Sequence, residues 1–129
     1  MTSVPSASTT MNDTPPFAGA LYLANLDPIL GSEQAGIRPV IVLSVDTMNL
    51  RSRRVIVCPI TSNMQPWMTK IALPDGLKTQ GMVLADQIRS IDKDARLLRF
   101  IEATPADFVT LVRSYVGRLL DLEVPGASG

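Results

Sequence analysis

From Ala20 onward the chain is a series of short Val/Ile/Leu-rich runs broken by turn residues, and this spacing restricts the fold more than any other feature. The runs predict strands near 20–26, 38–45, 53–60, 69–73, 81–91 and 97–102 rather than long helices. The end of the chain has a different period. Thr104 is placed to cap a first turn, Pro105 suits the first helical position, and Asp107 favours the positive end of a helix dipole. Phe108, Leu111, Val112, Tyr115, Val116, Leu119 and Leu120 then recur at three- and four-residue spacing. That stripe predicts an amphipathic C-terminal helix packed on the sheet, ended by Pro125 and Gly126.

Residues 1–18 are rich in Ser, Thr and Pro, and so bury too little apolar surface to offset the entropy of ordering. The expected organisation is a disordered tail over 1–18, one domain over 19–122 and a flexible tail over 123–129. The longest loop runs from Asp27 to Ile37 and holds Pro28, Gly31 and Gly36; a loop of that length on a small β domain is a place for function.

Composition excludes several chemistries. The 129 residues contain no histidine, which removes the commonest general base and the commonest transition-metal ligand together. Lys+Arg and Asp+Glu both total 12, so the chain lacks the basic excess of a protein that coats nucleic acid, and any such contact is local. The basic residues do gather at Arg51, Arg53 and Arg54, a pattern also typical of a solvated loop. Cys58 is single and lies within an apolar strand, which reads as structural rather than nucleophilic. No apolar run reaches the roughly 20 residues of a membrane-spanning helix, and the N-terminus has no basic start followed by an apolar run; the expected location is cytoplasmic.

Three junctions carry chemistry. At Gly31–Pro39 a polar, glycine-containing segment enters an apolar strand at Val40, with Arg38 at the boundary. A guanidinium held there suits bidentate phosphate recognition, and equally suits bonding to loop carbonyls. At Pro59–Asn63 an apolar strand gives way to Thr61, Ser62 and Asn63, which can donate to a phosphate or form a turn. Asp86–Asp92 alternates polar and apolar residues as a half-buried strand does, so its polar face can line a groove.

Taken together, L-D-P-x-x-G-S-E-Q-A-G-I-R-P at Leu26–Pro39, P-I-T-S at Pro59–Ser62 and A-D-Q-I-R-S-I-D at Ala85–Asp92 resemble the MazF/PemK toxins in order and spacing, over roughly Gly19 to Leu120. The resemblance implies a mainly β fold with α: an SH3-like antiparallel barrel of the MazF/Kid/CcdB-like type with a C-terminal helix. It also implies a homodimer, no cofactor or metal, and the toxin of a type II toxin–antitoxin system. The implied activity is sequence-specific, metal-independent cleavage of single-stranded RNA by 2′-hydroxyl attack, which inhibits translation and growth and is checked by a cognate MazE-like antitoxin.

Carried over by position, Arg38 and Thr61 match the family's catalytic pair, while Asp86 and Glu33 are auxiliary catalytic candidates. Ser32, Gln34, Ser62, Gln87, Arg89 and Arg54 are candidates for RNA binding. Leu84 stands where one branch of the family has an arginine, and Ala20 stands where an acidic residue is usual. A CcdB-like gyrase poison and a catalytically inactive antitoxin-binding module are the alternatives on the same barrel. The three motifs argue against the first, and an activity assay separates the second.

Overall fold

The computed structural model describes residues 15–27 and 36–122. Seven strands and three helices follow in the order β1 (Ala20–Asn25), β2 (Ile37–Val42), α1 (Asp46–Arg51), β3 (Arg54–Thr61), β4 (Lys70–Ala72), β5 (Met82–Leu84), β6 (Arg89–Asp92), α2 (Lys93–Arg96), β7 (Leu97–Ala103) and α3 (Ala106–Leu119). All pairings are antiparallel, in the sheet order β4-β5-β3-β2-β1-β7 with β6 also on β3. β1, β2, β3, β6 and β7 curl into the expected barrel-like form, and α2 spans the step between β6 and β7 in place of a closing ladder.

Residue alternation sorts the side chains into two cores. Tyr22, Ala24, Val40, Val42, Val55, Val57 and Ile91 fill the inside of the curl. Leu21, Ile41, Cys58 and Ile60 point the other way, toward Phe108, Val109 and Val112 of α3. Burial on both faces explains why β1 to β3 read as nearly continuous apolar runs; each fully buried aliphatic side chain stabilises by roughly 1.5–3 kcal/mol.

The strand expected over 81–91 is broken by a 3-10 turn at Ala85–Gln87. Ile60 pairs with Val83 and Val57 with Arg89, so only Cys58 and Pro59 face the five residues 84–88. Ile56 gives its carbonyl to Leu43 N, on the β2 side. By alternation Pro59 therefore turns its missing N–H toward β5 and β6, where the ladder would otherwise continue. Ala85 N donates to Thr69 O instead, and Asp86 to Ile88 bulge outward.

Other expectations change in detail. Thr104 does not cap α3: its hydroxyl donates to Gly19 O at 2.6 Å, and the helix starts after Pro105 with no side-chain cap. Phe108, Val112, Tyr115 and Val116 of the predicted stripe pack on the core, whereas Leu111, Leu119 and Leu120 are 43%, 42% and 62% exposed. Helix α1 had no periodic signal. It is tied down by a buried polar pair, with Ser44 Oγ donating to Asn49 Oδ1 and Asn49 Nδ2 donating to Ser44 O. At the N-terminal end Pro16 is buried, the Phe17 ring lies 5.9 Å from that of Phe100, and Ala18 N donates to Asp46 Oδ1. Residues 15–18 thus pack on the domain, while 1–14 and 123–129 lie outside the described residues.

Candidate active site at the barrel mouth

β2 and β3 pair as Val40↔Pro59, Ile41↔Cys58 and Val42↔Val57. Past Val40↔Pro59 this ladder ends and Thr61 pairs with Met82 of β5, but alternation along each strand keeps Arg38 and Thr61 on one face at the same edge. That face is the one Val40 and Val57 present to the inner core, so Arg38 and Thr61 stand at its rim. Arg89, opposite Val57, lies on the same face.

The rim is organised around the stem of the loop that leaves at Asp27 and returns at Gly36. Leu26 N donates to Gly36 O, and Gly36 N to Asp27 Oδ1 at 2.8 Å. Gly36 has φ +78°, a backbone state that suits glycine. Arg89 Nη1 donates to Leu26 O and Arg96 Nη1 to Asn25 O, each at 3.3 Å. Arg38, Arg89 and Arg96 therefore gather at one end of the barrel, a local concentration of charge in a chain with net charge zero.

Thr61 is nearly buried, and its Oγ1 accepts from Asn63 N at 3.1 Å, so the hydroxyl keeps its own proton to donate. The following loop is held to it by a relay. Asn63 Oδ1 accepts from Gln65 N, and Lys70 Nζ donates to the carbonyls of Asn63 and Gln65. On the other side, Gly81 packs against the Thr61 backbone.

The remaining candidates divide. Ser62 is exposed beside Thr61, and Gln87 is half-buried at the end of the 3-10 turn. Asp86 is exposed in the 3-10 turn; burial first, and then the Asp86 charge, push the Cys58 thiol up to about 12. Cys58 sits in the outer core, three residues and one face away from Thr61. A thiol so placed stays protonated and inert at neutral pH.

Arg54 is seven residues from Thr61 along β3, about 23 Å. Its guanidinium is engaged by Ser90, with Nε donating to Oγ and Nη2 to the carbonyl, so it is not brought to the rim. Ser32, Glu33 and Gln34 lie outside the described residues. Among the described residues no group of three or more His, Cys, Asp or Glu could hold a metal ion, and no helix is long and apolar enough to cross a membrane.

Sequence reasoning missed Arg96, Lys70 and Gly81, while Asn63, read as a phosphate donor or a turn residue, serves the turn. Arg96 was hidden in a mixed-charge run, and the signal for Gly81 was a glycine placed directly before a strand.

The loop from Leu73 to Gly81 flanks the site and is fastened by Glu102 of β7, which accepts from Lys78 N, Thr79 N and Thr79 Oγ1. Burial raises the Glu102 pKa, but those three donors and the Lys78 charge outweigh it and hold the carboxyl below its ordinary 4.5. A depressed carboxyl pKa contributes stability that is present above the unfolded value and lost as pH falls through the folded one. Thermal melts of the wild type between pH 6 and 3 should therefore show an acid-side loss that Glu102→Gln shares less; parallel curves for the two proteins would contradict this anchoring.

Comparison with known proteins agrees with the fold. The family model described as PemK-like, MazF-like toxin of type II toxin–antitoxin system matches residues 18–120. The endoribonuclease PemK of Escherichia coli is 35% identical over 105 residues, covering 78% of this chain and 77% of that protein. A crystal structure of MazF from Deinococcus radiodurans superposes with a TM-score of 0.80 at 37% identity, covering 85% of this chain and 100% of that one. A MazE–MazF crystal structure from the same organism gives 0.73 at 33% identity, covering 86% and 100%.

Proposed function

We propose that this chain, which belongs to the PemK-like, MazF-like toxin family of type II toxin–antitoxin systems and is an endoribonuclease, cuts single-stranded RNA at the barrel mouth by attack of a 2′-hydroxyl on the adjacent phosphate. The observation that supports this reading is the β2–β3 pairing that ends at Val40↔Pro59, which leaves the strand ends bearing Arg38 and Thr61 at the same edge of the barrel. Such a reaction needs the 2′-oxygen deprotonated, the extra charge of the phosphorane stabilised and the leaving 5′-oxygen protonated.

Arg38 is suited to stabilising the phosphorane, because it is permanently charged, planar and fixed at a strand end. Thr61 donates its free hydroxyl proton to the phosphate or orients the 2′-hydroxyl. Arginine is a poor base because its pKa is so high. For the proton the candidates are Glu33 and Asp86, the latter exposed in the 3-10 turn before β6, with substrate alignment alone as the alternative. Ser32, Gln34, Ser62, Gln87 and Arg89 contact the RNA strand, and Arg54 is left out of the contact set.

We further propose that the enzyme works in the cytoplasm without metal as a symmetric homodimer, for which the exposed leucines of α3 are available. Light scattering that gave a monomer at micromolar concentration would count against the dimer. The partner that restrains the activity is a MazE-like antitoxin whose acidic segment covers the arginines of the rim.

The test is incubation of the purified chain with single-stranded RNA in EDTA. Fragments with 2′,3′-cyclic phosphate and 5′-hydroxyl ends are expected. Intact RNA across a sequence-diverse pool would leave the chain an antitoxin-binding module and sink the mechanism.

A further inference from the structure

Next to Thr61, past the end of β3, lies a groove of about 320 Å³ between Ser62–Met64 and the Leu73–Gly81 loop. Met64, Leu73 and Leu77 give it apolar walls, while Ser62, Asp75 and Gln80 supply hydrogen-bonding groups. Its size is at the small end of ligand pockets, which run from roughly 300 to 1,000 Å³.

We propose that this groove is a nucleobase pocket that takes a base next to the scissile phosphate and selects one carrying an exocyclic amino group. The proposal rests on the RNA-cleaving reading above. Three observations support it.

The first is chemical match. A base has two apolar faces and a rim of donors and acceptors, which fits apolar walls with a few polar groups between them. Asp75 is acceptor-only when ionised, and Gln80 offers one acceptor and one amide donor pair. Adenine, cytosine and guanine carry the amino donor that such acceptors seek; uracil does not.

The second is rigidity. Glu102 holds Lys78 and Thr79 at the far wall, and Leu73 N donates to Gly81 O at 3.1 Å to close the loop's base. A pocket formed before binding avoids the ordering cost.

The third is its connection to the reaction. Ser62 follows Thr61 directly, and Gly81 lies so close to the Thr61 carbonyl that a Cβ there would stand 2.5 Å from it. Ser62 is the first residue past β3 and lines the groove, so a nucleotide with its phosphate at Thr61 has its base within reach of it. An acidic peptide side chain fits poorly, because Asp75 would repel it.

Two measurements on the full chain test the proposal. In the first, methyl resonances of Met64, Leu73 and Leu77 are followed while AMP, CMP, GMP and UMP are titrated separately. At least one amino-bearing nucleotide should shift them saturably, UMP should not, and Gln80→Ala should remove the response. This readout is independent of cleavage, so it separates failure of the pocket from failure of the enzyme reading.

In the second, cleavage sites in a randomised single-stranded RNA pool are sequenced for wild type, Gln80→Ala and Asp75→Asn. The variants should change base preference by about tenfold at one position beside the cut and leave the other positions as they were. A uniform loss of rate, as a purely structural role would give, overturns the proposal. So does the absence of methyl shifts with all four nucleotides, equal response to UMP, or weakened antitoxin inhibition with an unchanged cleavage profile.

Discussion

Arg38→Ala lowers the rate of RNA cleavage by about a hundredfold or more, the scale of losing one preorganised donor aimed at developing negative charge. The position explains the size of the effect. Arg38 is the first polar residue past the Val40–Val42 segment of β2, so its backbone is fixed by the ladder to β1, where it pairs with Ala24. Arg38→Lys keeps the charge but not the planar fork, and should recover only part of the rate. Thr61→Val keeps the shape and removes the hydroxyl, and should impair the same step. Steady-state kinetics on a defined RNA decide the matter: Arg38→Ala retaining more than about a tenth of the wild-type rate, a barrier change under about 1.4 kcal/mol, removes Arg38 from the catalytic role.

Gly81→Ala destabilises the fold by about 2–5 kcal/mol and depresses cleavage with it, the sum of overpacking against backbone and of an unfavourable conformation. Gly81 has φ +143°, and an added Cβ would meet Thr61 O at 2.5 Å and Ile60 Cγ2 at 2.8 Å. The first of these is backbone, which cannot swing aside, so relief comes only by moving the end of β3 that carries Thr61. Gly76→Ala is the control. Gly76 also has a positive φ, +94°, but nothing lies within 4 Å of its Cβ position, so a loss of only about 1 kcal/mol in stability is expected. Melting temperatures check the pair: Gly81→Ala should fall by roughly 10 °C or more, and equal melting of the two variants would contradict the close approach at Thr61.

Much of this was legible in the chain because burial dictates pattern. β1, β2 and β3 are buried on both faces and so appear as apolar runs, and the first turns of α3 bury Phe108 and Val112 at helical spacing. Arg38 and Thr61 were singled out by motif, and the β2–β3 pairing shows why residues 23 apart in sequence reach the same edge of the barrel. What was not legible depends on partners distant in sequence. The break between β5 and β6 comes from Pro59, a residue in another strand. Thr104 has the right identity for a cap, but its hydroxyl is taken by Gly19, 85 residues away. Arg96 and Lys70 act through backbone groups, and a sequence does not reveal which carbonyl a guanidinium or ammonium will meet. Arg54, grouped with the RNA contacts on charge, lies about 23 Å along β3 from Thr61 because the ladder fixes that distance.

The central claim is tested most directly by removing one oxygen from the substrate. A single-stranded oligoribonucleotide containing one mapped cleavage site is compared, in EDTA, with the same strand carrying a 2′-deoxy sugar on the 5′ side of the cut. The account predicts efficient cleavage of the first and none of the second at that site, with the modified strand still competing for binding. Equal cleavage of both strands would contradict 2′-hydroxyl attack and with it the roles assigned to Arg38 and Thr61.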